Sequence, residues 1–139
     1  MEEIGRRSAI ALGLAAAATP ALVLPRAAMA RKYGPDEGEE LAPGVRVIEL
    51  SQRDAIIPGY KTVKMVDVVF QPGSHAPQEV MENDWVCNLT EGALRIVLGG
   101  EELRLKTDDV YTCAKGATEE SWNDGDTVAV MRAIGLISA

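Results

Sequence analysis

Two runs of alternating apolar and polar residues, Ala93-Leu94-Arg95-Ile96-Val97-Leu98 and Glu101-Glu102-Leu103-Arg104-Leu105, are separated only by Gly99-Gly100. A two-residue turn needs positive φ angles, which glycine adopts without steric cost, and alternation places every second side chain on one face of a strand. The segment therefore predicts a β-hairpin with Leu94, Ile96, Leu98, Leu103 and Leu105 facing a core and Arg95, Glu102 and Arg104 facing water. An isolated hairpin cannot bury its apolar face, so it demands further strands. They are signalled at Val45 to Leu50, at the β-branched run Lys61 to Phe70 that ends on Pro72-Gly73, at Val110 to Ala114 after the turn Thr107-Asp108-Asp109, and at Thr127 to Gly135 after Asn123-Asp124-Gly125. Helix signals are nearly absent and no repeat of fixed period is visible. Seven or eight short strands predict an all-β antiparallel sandwich or barrel.

The first thirty residues do not belong to that pattern. Arg6-Arg7 precedes an apolar stretch from Ala9 to Leu24, and Ala28-Met29-Ala30 follows, which is the arrangement of an export signal cleaved after Ala30. Pro20 and Pro25 interrupt the run, which falls short of the roughly 20 apolar residues of a spanning helix, so no stable membrane span is expected after removal. The paired arginines point to twin-arginine export, with ordinary secretion as the alternative because Ser8-Ala9-Ile10 fits the twin-arginine pattern loosely. Either route places the mature protein in a periplasm or outside the cell. Residues 31–40, punctuated by Gly34, Pro35 and Gly38 and without apolar periodicity, are expected to form a mobile leader, and residues 41–139 one domain.

Removing residues 1–30 takes away Arg6, Arg7, Arg26, Glu2 and Glu3 and moves the net charge from −7 to −8. An acidic surface without a lysine or arginine cluster repels phosphate backbones, which excludes nucleic acid as a partner and leaves a small molecule or another protein.

The order of turns carries a resemblance. Pro72-Gly73 opens a segment closed by Glu91-Gly92, and Asp108-Asp109-Val110-Tyr111-Thr112-Cys113-Ala114-Lys115-Gly116 leads to Asn123. This resembles the two motifs of the cupin superfamily over about Leu41 to Leu136, which implies a cupin-like antiparallel β-barrel or jelly roll and, as many cupins are dimers, a homodimer. The family's metal ligands are three histidines and a glutamate, and here the sequence departs. Counting back from Gly92, the histidine positions of the first motif fall on Glu79 and Met81 and the glutamate position on Trp85. A one-residue gap would move the first two to Gln78 and Val80. In the second motif the histidine position falls on Glu119.

Read as residues, Glu79 and Glu119 could hold a hard cation or share a proton at the barrel mouth, or lie in water as rim carboxylates. Cys87 and Cys113 are candidates for a disulfide in an oxidising compartment, for two buried thiols, or for a soft metal site with Met81 and His75 that would suit copper. His75, the only histidine, is placed on a solvent-exposed loop. Trp85, Trp122 and Met81 either line an apolar ligand pocket or fill the core. Neither Ser74 nor Ser121 completes a nucleophilic triad, and the sequence names no cofactor. Two functions follow. One is a small-molecule or partner-binding cupin without the usual metal site, using Glu79, Met81, Trp85, Glu119 and Trp122. The other is a metal-dependent cupin enzyme of oxygenase or isomerase type with an atypical Glu, Cys, Met and His ligand set.

Overall fold

The computed structural model describes residues 33–138, and the expected export signal, residues 1–30, lies outside the described residues. The chain divides into two units, Met1–Pro35 and Asp36–Ala139, and the strands of the described residues lie in the second.

Among the described residues there is no helix and there are ten strands: β1 (Glu39–Ala42), β2 (Val45–Asp54), β3 (Tyr60–Phe70), β4 (His75–Val80), β5 (Asp84–Glu91), β6 (Ala93–Leu98), β7 (Glu101–Lys106), β8 (Val110–Cys113), β9 (Thr118–Trp122) and β10 (Ala129–Ser138). They form a six-stranded sheet in the order β1-β2-β3-β10-β5-β8 and a four-stranded sheet in the order β4-β9-β6-β7, and every pairing is antiparallel. The last strand enters between β3 and β5, so the larger sheet cannot be completed until the chain end arrives. This non-consecutive pairing is that of a jelly roll.

The hairpin forms as its sequence dictates. Leu94 pairs with Leu105 and Ile96 with Leu103, and Gly99 and Gly100 take φ values of 57° and 86°. Leu94, Ile96 and Leu105 are buried, with Leu98 and Leu103 packed against the same cluster. Phe70, Leu89 and Val45 reach into that core from the other sheet at 1 % exposure or less. Full burial of a side chain of this size contributes roughly 1.5–3 kcal/mol relative to leaving it in water.

Two expectations are corrected and one open alternative is decided. Pairing starts at Glu39, because β1 lies along β2 and the Arg46 guanidinium donates to the carbonyls of Asp36 and Gly38, so residues 36–40 of the expected leader are tied to the domain. His75 is the first residue of β4 and not on a loop. The Pro72-Gly73 turn is tight, with the Ser74 amide donating to the Gln71 carbonyl at 3.1 Å, and the chain is back in register, His75 opposite Trp122, immediately after it. Of the alternatives open for the cysteines, the structure has the two buried thiols, both free. Cys87 sits opposite Tyr111 and Cys113 opposite Trp85, so the two are diagonal neighbours on β5 and β8. Diagonal α-carbons lie roughly 7–8 Å apart, beyond the span that a disulfide favours.

Asn123, 1 % exposed, closes the loop between β9 and β10. Its Nδ2 donates to the carbonyls of Phe70 and Thr127 at 3.0 and 2.9 Å, and its Oδ1 accepts from the Gly125 amide at 3.0 Å. A buried amide with these contacts fixes the end of β3 against the start of β10.

Candidate functional site

Strand parity decides which side chains look between the sheets. On β3 these are Val66, Val68 and Phe70, on β10 Met131 and Ala133, on β5 Trp85 and Cys87, and on β8 Cys113. From the four-stranded sheet come Ala76, Pro77 and Glu79 on β4, and Glu119 and Ser121 on β9. Together they enclose a cavity of about 430 Å³, within the range typical of small-molecule sites.

Glu79 owes its place to a bulge. Ala76 pairs with Ser121 and Glu79 with Glu119, so β4 uses one more residue than β9 across that interval. Pro77, which has no amide proton for a ladder bond, is where such an irregularity is tolerated, and the extra residue turns both Ala76 and Glu79 inward although they are an odd number apart. The two carboxyl-bearing residues Glu79 and Glu119 are thereby direct cross-strand partners at the mouth.

Glu119 is held from behind. The Tyr111 hydroxyl lies 2.9 Å from Glu119 Oε1 and 3.1 Å from Met131 Sδ, and its single proton goes to the carboxyl, the better acceptor. Burial raises the Glu119 pKa above the ordinary glutamate value; the Tyr111 hydrogen bond opposes the rise and the Glu79 charge adds to it. Burial likewise pushes the Cys87 thiol up to about 12 and Cys113 to about 11, with the Glu119 charge adding to both. The Tyr111 hydroxyl is also raised, first by burial. Burial thus works against the charged form of each of these four groups. Nothing in the sequence singles out Tyr111, although its place opposite Cys87 makes it a neighbour of the cavity wall.

Trp85 is set by its register partner Gly135. A β-carbon at Gly135 would come within 2.8 Å of the indole, so only glycine leaves room for the ring to lie flat on β10. Met81 follows β4, its amide bonded to the Ala117 carbonyl and its carbonyl to the Gly116 amide, and closes one side of the mouth.

Trp122 does not join them. It is three residues from Glu119 on the same strand, and an odd separation without a bulge puts the two on opposite faces. On the outer face the Trp122 ring stacks on His75, with centroids 5.0 Å apart and planes inclined by 8°, and the Arg95 guanidinium sits 4.2 Å from its centroid. Arg95 is in turn bound to Asp124 at 2.7 Å, and His75 pairs with Glu120. The expected placement of Trp122 in the pocket is corrected, and so is the inclusion of His75 in a ligand set with the cysteines, since it lies on the other side of the sheet.

The metal implied by the cupin resemblance does not fit these residues. Of the four equivalent positions, Met81 and Trp85 offer a thioether and an indole, the latter without a lone pair for a metal, and Glu119 is engaged by Tyr111. Among the described residues no group of three or more histidine, cysteine, aspartate or glutamate side chains is placed to hold a metal ion.

Neither a protein-family model nor a curated protein matches the sequence. Solved structures do match its fold. The Schizosaccharomyces pombe Cnp3 cupin domain is similar with a TM-score of 0.58 at 15 % identity, covering 72 % of this chain and 69 % of that one. An RmlC-like cupin from Shewanella frigidimarina gives a TM-score of 0.59 at 14 % identity, covering 76 % of this chain and 88 % of that one. A recombinant oxalate oxidase in complex with glycolate gives 0.58 at 23 % identity over 73 % of this chain and 56 % of that one. The fold thus has both enzymes and other cupin domains among its neighbours, and it carries no activity by itself. With its two antiparallel sheets and the cavity between them, the domain has the cupin fold.

Proposed function

We propose that this is an exported cupin-fold protein that binds a small organic molecule between its sheets without the usual cupin metal. The observation that carries the reading is the cavity of about 430 Å³, whose walls include the apolar side chains of Phe70, Trp85, Met131 and Val68, with Glu79 and Glu119 among the polar groups that face it. Apolar walls supply affinity by removing ligand surface from water, and a small number of fixed polar groups orients what is bound. Export rests on the arrangement of Arg6-Arg7, the apolar stretch and Ala28-Met29-Ala30.

The test is a fragment screen on the full chain, followed by methyl and indole NMR. Binding in the barrel shifts the signals of Val66, Val68, Met131 and Trp85 and leaves Trp122 unmoved. Ala133→Phe, which fills the cavity, abolishes those shifts. Shifts confined to the outer face, or binding undiminished in Ala133→Phe, would sink the proposal.

A further inference from the structure

The cavity's charges are out of balance. Glu79, Glu82 and Glu119 all line it, and the cation among its lining residues, Lys64, is spoken for by Glu49, with Nζ 2.8 Å from Oε1. Among the described residues neither Glu79 nor Glu119 takes part in an ion pair. Two features make this more than a surface accident. Like charges directly opposite on neighbouring strands are destabilising, and Glu79 and Glu119 are register partners. A carboxylate drawn out of water is normally matched by a cation or fully hydrogen-bonded, and Glu119 has one hydrogen-bond partner, the Tyr111 hydroxyl at 2.9 Å. Packing stability gives no reason to keep such a pair, and the β4 bulge at Pro77 is what aims Glu79 at it.

The chemistry that resolves the imbalance is a positive charge supplied from outside. From this geometry we infer that the cavity's ligand is an organic ammonium, whose charged head lies between Glu79 and Glu119 and whose apolar body lies along Trp85 and Phe70. The two carboxylates accept charge-assisted hydrogen bonds from N–H groups, and the indole face of Trp85, held flat by Gly135, attracts a cation as well as an apolar body. A carboxylate ligand would add a further negative charge beside the half-buried Glu119 and the exposed Glu79 and Glu82, and a neutral alcohol would leave their repulsion in place.

The inference rests on the proposal that the barrel binds a small molecule, and the experiment separates the two. Benzylammonium, benzyl alcohol and benzoate have nearly one shape and three charges. Titrated calorimetrically into the full chain at neutral pH and low salt, benzylammonium is expected to bind about tenfold or more tightly than benzyl alcohol, and benzoate more weakly than either. Glu119→Gln should bring benzylammonium down to the level of the alcohol while leaving the alcohol within about twofold of its wild-type affinity. Glu79→Gln, a substitution at the open rim, provides the same comparison if the buried variant does not fold. Alcohol or benzoate binding as tightly as the ammonium, or a preference for the ammonium that survives substitution of both glutamates, would overturn the inference and leave the barrel as a binding site of another class. Failure of all three to bind at the cavity residues would overturn the small-molecule proposal itself, and this inference with it.

Discussion

The Trp85 indole lies against Gly135, its register partner on β10, so closely that a β-carbon there would come within 2.8 Å of ring atoms Cζ3 and Cη2. The wall of the cavity is therefore defined as much by the absence of a side chain on β10 as by the presence of one on β5. Gly135→Ala is expected to push the ring toward the cavity and destabilise the fold by about 1–3 kcal/mol, the usual cost of an added carbon in a packed interior. Urea unfolding measures the loss, and near-ultraviolet circular dichroism reports the change around Trp85. The double variant Gly135→Ala, Trp85→Leu should recover most of the stability, since the clash is with the ring. An alanine variant as stable as wild type, with an unchanged aromatic spectrum, would show that the indole is not held there.

Export is tested by the chain's own N-terminus. Cleavage after Ala30 predicts that protein recovered from the exported fraction begins at Arg31. Replacing Arg6 and Arg7 by lysine should retain the precursor inside the cell if the twin-arginine route is used, and leave secretion intact if the ordinary route is used. Intact-mass measurement of both fractions distinguishes these outcomes. Full-length chain beginning at Met1 in the wild-type exported fraction would remove the signal from the proposal.

Local patterns were legible in the sequence, and long-range parity was not. The β6–β7 hairpin could be assigned because its alternation and its two glycines are contiguous, and the pairing of Leu94 with Leu105 follows from the turn alone. The cupin resemblance implies that the strand bearing Trp85 and Cys87 runs beside the one bearing Cys113, and β5 does pair with β8, with Trp85 opposite Cys113. The aromatic character of Trp122 suits a pocket wall, but its odd spacing from Glu119 forces the two onto opposite faces of a regular strand. Glu79 escaped the same rule only through the bulge in β4, for which Pro77 is a signal but not a sufficient one. Tyr111 carries no such signal because its role comes from reaching across to Glu119 and Met131, on strands that the fold distributes between two sheets.

The two thiols are expected to stay reduced even in the oxidising compartment that the proposed export would give them. Burial pushes Cys87 up to about 12 and Cys113 up to about 11, and at 3 % and 2 % exposure neither is open to reagent. The thiolate is the reactive form, so at pH values near 8 both should stay unreactive toward a thiol-specific disulfide reagent in the native state and both should react on unfolding in urea. Intact mass should correspond to two free thiols even after exposure to air, because the diagonal placement on β5 and β8 disfavours the bond. A mass short by two hydrogens, with no thiol released on unfolding, would show that the strands shift to let the disulfide form.

Glu119 gives the protein a pH dependence whose sign can be worked out. Burial raises its pKa above the ordinary glutamate value of 4.5, with the Tyr111 hydrogen bond opposing and Glu79 reinforcing the rise. Because the native state then holds a proton that the unfolded chain releases, the Glu119 contribution is most favourable below about the unfolded value and is lost as pH climbs through the folded one. Glutamine at this position accepts the same hydrogen bond from Tyr111 without titrating. The urea midpoint of Glu119→Gln relative to wild type should therefore shift in the variant's favour as pH rises above 4.5 and become constant once Glu119 is ionised in both states. A stability difference that stays flat across that range would mean that Glu119 is as well solvated in the folded protein as in the unfolded chain, and would take away the buried carboxylate on which the charge imbalance of the cavity depends.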